Sequence, residues 1–243
     1  IQDNSGGMLD GGAITAGNDI SVAGDVTIDN AALFGASTDP DRVYVLNGTG
    51  PQNVDVNGES VRNVTVSGTG PISILSGARV ENNANKGTAI IETQIADLTL
   101  GSTAVYTTTG GWFQPDLIRD LPAGTGSYLY QVGTSSPQPV TISYPADGPD
   151  NPVVLQVESV DGDHPSVTNP PAALNRYWSI TPTGTFGSNE ATVTVEYDDP
   201  ADIVGVGNEG DLKVGANPGG GPGPWTTYPT TNNTAGNTPS LTF

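Results

Sequence analysis

The sequence predicts an all-β protein, with a β-solenoid-like domain of stacked strands followed by an antiparallel β-sandwich. Three observations predict this. Apolar residues fall in short alternating runs, the pattern of half-buried strands. The runs are closed by Asn-Gly, Ser-Gly and Gly-Ser pairs, which favour tight corners. No stretch sustains the i, i+3, i+4, i+7 apolar spacing of an amphipathic helix, and Pro115–Leu121 reads as one short turn at most.

The first 24 residues are rich in Gly, Asn and Asp and read as an extended arm or an edge strand. Alternation begins at Val22, Val26 and Ile28. Val43–Leu46 stops at Asn47-Gly48, Val54 and Val56 stop at Asn57-Gly58, and Val61, Val64 and Val66 stop at Ser67-Gly68. Ile72 and Ile74 stop at Ser76-Gly77, and Ile91, Ile95, Leu98 and Leu100 stop at Gly101-Ser102. A chain that corners this often can coil, each rung covering the apolar face of the last. Residues 25–110 are therefore assigned to the solenoid-like domain. A sandwich of the same strands is the competing arrangement.

Residues 111–126 read as a junction, because Thr107–Gly111 breaks the pattern and Trp112, Phe113 and Pro115 follow. Residues 127–243 carry longer strands. The clearest is Ala191–Tyr197, with Ala191, Val193, Val195 and Tyr197 on one face and Thr192, Thr194 and Glu196 on the other. Others are Tyr128–Val132, Val140–Tyr144, Val153–Val157, Arg176–Ile180, Leu212–Val214, Trp225–Tyr228 and Leu241–Phe243. About eight strands suit a sandwich with Greek-key, jelly-roll or Ig-like connections.

Several of these segments together resemble a known family. Leu46-Asn47-Gly48-Thr49-Gly50-Pro51-Gln52-Asn53-Val54 is similar to the F-N-G-x-G-x-Q-x-I repeat of large secreted surface proteins of the Bacteroidota and their relatives. Val61–Gly68, Leu117–Pro122, Gly126–Gly133 and Pro139–Ile142 look like the segments that follow the repeat in that family. Arg176-Tyr177-Trp178-Ser179-Ile180, Tyr197-Asp198-Asp199, Gly207–Val214 and Trp225 look like its closing sandwich. The resemblance covers most of residues 43–228. It implies a cell-surface or secreted module of an adhesin-like or filament-forming protein. It carries over no catalytic residue, because the motifs are packing and turn motifs. Family members are usually much longer chains with a sorting tail, a feature this chain does not display.

The charge balance narrows the partners. With 26 acidic against 7 basic residues, the net charge of −19 repels nucleic acid and anionic lipid. No run approaches the roughly 20 apolar residues that span a membrane as a helix, so direct membrane insertion is not expected. A chain opening on Ile1, with no basic and apolar leader, reads as a processed form or a piece of a longer protein. The absence of cysteine removes disulfides and thiolate chemistry.

Candidate sites are few. The one histidine, His164, has no Gly-x-Ser-x-Gly partner motif and reads as a loop residue, so the chain is not expected to be an enzyme. Asp161 and Asp163, and Asp198, Asp199 and Asp202, offer hard oxygen ligands from loops, and a structural Ca²⁺ is the one cofactor they suggest. Trp112 and Trp225 are candidate sugar-stacking residues. The expected function is an extracellular structural or adhesive surface protein. Its partners are copies of itself or neighbouring surface modules, and in the filament version copies join by β-strand addition. A carbohydrate-binding module of a secreted protein, with glycans as partners, is the alternative.

Overall fold

A computed structural model describes residues 20–27, 43–144, 152–167, 173–184, 191–203, 208–217, 226–227 and 230–242. Within these the chain is β throughout, apart from 3-10 turns at Glu209–Asp211 and Thr234–Gly236. The all-β class read from the sequence is correct. Two compact units divide between Pro122 and Ala123.

The first unit is a parallel solenoid. Its strands are β1 (Ile20–Val22), β2 (Val26–Thr27), β3 (Val43–Leu46), β4 (Gln52–Asp55), β5 (Ser60–Val66) and β6 (Ile72–Ile74). They continue as β7 (Ala78–Lys86), β8 (Ile91–Glu92), β9 (Leu98–Leu100), β10 (Val105–Thr108), β11 (Phe113–Gln114) and β12 (Asp116–Leu121). Every pairing among them is parallel, and strands pair with the next coil rather than with their sequence neighbour. One face runs β1-β3-β5-β7-β10 and another β2-β4-β6-β8-β11. The long strand β7 serves two neighbours: Ala78–Val80 pairs with β9, and Asn83–Lys86 with β10. From Asn63 to Asn83 the coil advances by 20 residues, and the Asn83 side chain donates to Asn63 Oδ1 at 2.9 Å.

Inward positions stack into ladders. Val61, Val80 and Leu100 form one, and Ile72, Ile91 and Phe113 another, all buried. Each such side chain leaves water for roughly 1.5–3 kcal/mol of stabilisation, which is what closes the coils on one another. The corners are built for closeness. Gly48-Thr49-Gly50-Pro51 lies under Gly68-Thr69-Gly70-Pro71, with Thr69 N donating to Gly48 O at 3.1 Å. A Cβ on Gly70 would collide with the carbonyl of Gly50, and one on Gly68 with the carbonyl of Gly48. Between β4 and β5, Asn57 and Gly58 both take positive φ (54° and 80°), the geometry that an Asn-Gly corner supplies. Gln52 is fully buried and ties the first coils together: its amide donates to Val22 O at 3.1 Å and Gly24 O at 2.7 Å, and its Oε1 accepts from Gly48 N at 3.0 Å.

Two details differ from the sequence reading. The solenoid does not stop at residue 110, since β11 pairs with β8 and β12 with β9. The segment Pro115–Leu121, read as a short turn, is mostly the strand β12, with Leu117 and Leu121 fully buried. Charged residues at 116, 119 and 120 hid its alternation, because Asp116 and Arg119 are themselves buried. At the other end, residues 20–22 of the predicted arm form β1 at the edge of its sheet, and the remainder of the arm up to residue 19 lies outside the described residues.

The second unit holds an antiparallel sheet in the order β13 (Gly126–Tyr130), β14 (Val140–Tyr144), β17 (Thr192–Val195), β21 (Thr238–Thr242), β20 (Thr230–Asn233). Outside this five-stranded sheet, β15 (Val153–Asp161) pairs antiparallel with β16 (Arg176–Thr183) over eight residues. The small ladder β18 (Gly215–Ala216) with β19 (Thr226–Thr227) completes the unit. Ile142, Val193 and Leu241 share the inner face of the sheet. Tyr130 and Gln138 reach the hairpin, with Trp178 Nε1 donating to Gln138 O at 3.3 Å. The terminal strand β21 is paired on both sides within its own chain, to β17 and to β20.

Candidate functional site

The acidic residues singled out in the sequence gather around an arginine. Arg176, at the start of β16, is buried, and its Nε donates to Asp202 Oδ2 at 3.0 Å. Its Nη1 reaches Asp161 Oδ1 at 2.6 Å, Thr134 Oγ1 at 2.9 Å and Ser159 Oγ at 3.3 Å. Asp202 is also buried and accepts from the backbone N–H of Asp198 at 2.8 Å, which closes the 198–202 loop. Asp161 and Asp202 thus hold a guanidinium. Asp198 Oδ2 accepts from Ser136 Oγ at 3.3 Å, while Asp163 and Asp199 are exposed. Among the described residues no three His, Asp or Glu side chains are grouped to hold a metal ion.

His164 stacks edge-on against Tyr177, with ring centroids 4.8 Å apart, and its Nδ1 accepts from Ser166 N at 3.1 Å. Trp112 is half-buried in the corner before β11, and its carbonyl accepts from Ile91 N at 2.9 Å. Trp225 lies outside the described residues.

A feature missed in the sequence is the outer face of the second unit's sheet. Ser127, Ser143, Thr192 and Thr242 stand opposite one another across β13, β14, β17 and β21. The next row sets Leu129, Thr141, Thr194, Ser240 and Thr231 side by side. Ser127 Oγ lies 2.8 Å from Ser143 Oγ, and Thr192 Oγ1 3.0 Å from Thr242 Oγ1. These rows carry no charge in a chain of net charge −19. The signal was the Val-Thr-Ile-Ser and Thr-Val-Thr-Val alternation, whose polar positions are all hydroxyls and never carboxylates.

A second missed feature lies inside the solenoid. Lys86 occupies the inward ladder position of Leu46 and Val66 and is 2% exposed. Its Nζ donates to Gly110 O at 2.7 Å and stands 5.8 Å from the centre of the Phe113 ring. It lines a cavity of about 80 Å³ whose other walls include Val22, Val54, Val66, Leu100 and Phe113. Burial pushes its pKa down to about 8, because the apolar wall solvates an ammonium poorly. In the unfolded chain the amine returns to about 10.5. Holding the proton therefore costs the folded state fully below pH 8, and that cost fades as pH rises toward 10.5. The stability of Lys86→Met relative to the parent is expected to fall by about 2 kcal/mol between pH 7 and pH 10. Urea unfolding at the two pH values checks this, and tyrosine ionisation cancels in the difference.

Just past the strand ends of the β1-β3-β5-β7-β10 face, one hydrogen bond per coil runs in the same direction. Asn47 N donates to Val22 O at 3.0 Å, Ser67 N to Leu46 O at 2.9 Å, Gly87 N to Val66 O at 2.9 Å and Thr109 N to Lys86 O at 3.2 Å. At these positions a coil presents a carbonyl to the coil after it and an N–H to the coil before it, whereas on the other face the direction reverses, as in Ile72 N to Ile90 O and Ile91 N to Trp112 O, both 2.9 Å.

Compared with known proteins, the chain matches no family model, no curated protein and no solved structure.

Proposed function

We propose that this chain is an extracellular structural and adhesive surface module, a non-enzymatic repeating subunit of a filament whose partners are copies of itself or neighbouring surface modules. The coil carries the reading. A step of 20 residues with aliphatic ladders inside, glycine corners stacked on each other and Asn and Thr outside makes a stiff rod from repeated sequence. The order of motifs shared with secreted surface proteins supports the extracellular setting, as does a surface rich in uncharged hydroxyls and amides. Negative-stain electron microscopy of the purified full chain tests it. Regular fibres are expected, and uniformly dispersed particles at every concentration and salt level overturn the filament reading.

The outer sheet face of the second unit favours a second reading, a carbohydrate-binding module. Two uncharged rows, hydroxyl-bearing except at Leu129, can hydrogen-bond a neutral polysaccharide, with the carboxylate of Glu196 one outward position beyond Thr194. Under this reading insoluble neutral polysaccharide retains the parent protein, and Thr194→Glu in the middle of the face releases it. Equal retention of both proteins, or of neither, counts against it.

A further inference from the structure

The solenoid's parallel ladder, with its constant register, leaves two edge strands complementary to each other. On the face β1-β3-β5-β7-β10, no described strand pairs with the outer side of β1 or of β10. By the register of the inner coils, the carbonyl of Thr108 corresponds to those of Val22, Leu46, Val66 and Lys86, each of which accepts from the following coil. The backbone N–H of Ala23 corresponds to those of Asn47, Ser67, Gly87 and Thr109, each of which donates to the preceding coil. One end therefore offers acceptors where the other offers donors, with both strands running in the same direction.

We infer that the outer edge of β10 receives β1 of a second copy as the next parallel strand. This rests on the reading of the chain as a filament subunit and names the edges that join. The inner ladder would continue with Ile20 over Tyr106 and Val22 over Thr108, and the outer one with Ser21 beside Thr107. Neither Ile20-Ser21-Val22 nor Val105-Tyr106-Thr107-Thr108 carries a charge, so two chains of net charge −19 can meet here without setting carboxylate against carboxylate. Val105, 60% exposed, is one of the few large apolar side chains left in water, and it lies on this edge strand. The contact is head-to-tail. Unlike a twofold contact it consumes neither end's complement, and it propagates as an open filament.

The natural absence of cysteine allows a clean test. Ser21 and Thr107 lie in one outward row, Ser21–Val45–Thr65–Asn85–Thr107, four ladder steps apart. Within a chain that is roughly 19 Å, too far for a disulfide, whereas across the joint the two positions are one step, about 4.8 Å, apart. The full chain carrying Ser21→Cys and Thr107→Cys is oxidised mildly and run on a non-reducing gel, beside each single variant and an equimolar mixture of the singles. The expected result is a ladder of multimers from the double variant and dimers alone from the mixture, both collapsing to monomer on reduction. Fibres from the reduced double variant that yield no ladder on oxidation overturn the edge assignment and leave the filament reading standing. Dimers from either single variant alone, as fast as from the mixture, also overturn it in favour of a twofold contact. A parent and double variant that both stay dispersed and uncrosslinked overturn both readings.

Discussion

Gly70→Ala is expected to cost the protein about 3–5 kcal/mol, enough to unfold a marginal domain. The added methyl would collide with the carbonyl of Gly50 in the coil beneath, and a backbone atom cannot rotate aside as a side chain can. Relief requires the corner Gly68–Pro71 to lift off the corner Gly48–Pro51. Lifting it breaks the bonds Thr69 N to Gly48 O and Gln52 N to Pro71 O, at 3.1 Å and 2.9 Å. It also uncovers Ile72, which is 1% exposed. Gly50→Ala is the internal control, because a methyl there meets nothing within 4 Å. Chemical denaturation followed by far-ultraviolet circular dichroism should separate the two alanine variants clearly. Equal stabilities would mean that the corners are not in contact.

Arg176→Met is expected to cost about 3–5 kcal/mol, because it strands the buried carboxylate of Asp202 without its cation. Asp161, half-exposed, can turn to water when its partner goes, so most of the cost falls on Asp202 and on the loop it closes. The double variant Arg176→Met, Asp202→Leu should recover a large part of the loss, since a buried ion pair replaced by apolar groups of similar size is often neutral. Trp178, two residues along the same strand, gives a fluorescence signal from the right place. A single variant as stable as the parent would show the ion pair to be dispensable. A double variant no better than the single would assign the loss to packing around Arg176 rather than to stranded charge.

Much of the fold was legible because β-strands announce themselves by alternation. Val61, Ile72, Ile74, Val193 and Val195 all point inward as the two-residue period requires. The coil period was harder to read. One coil holds several unequal strand-and-corner steps, so the eye finds a spacing of about ten residues where coils on the long face advance by 20 to 24. The recurrence of Gly-Thr-Gly-Pro at 48–51 and 68–71 carries the true period. Lys86 was invisible for a related reason. It ends the mostly polar run Glu81-Asn82-Asn83-Ala84-Asn85, and its register with Leu46 and Val66 places it in the core. Arg176 meets partners up to 42 positions away in sequence, and no local pattern predicts which acid a buried arginine will meet. Asp161, Asp198 and Asp202 stood out in the sequence as candidate Ca²⁺ ligands, and the structure sets Asp161 and Asp202 against Arg176.

The parallel ladder of the solenoid has a mechanical consequence. A force applied along the stacking direction pulls each inter-coil bond, such as Ser67 N to Leu46 O, along its own length. Bonds loaded in that direction yield in sequence from an end, whereas a force along the strands must shear a whole ladder at once. Each coil that peels away frees 20 to 24 residues, roughly 65–80 Å of extended chain. The rod would then lengthen in steps under tension and dissipate work at each one, with re-coiling when the load is removed. Such a body is stiff at low load and extensible at high load, which distributes strain among neighbours when many copies are pulled together.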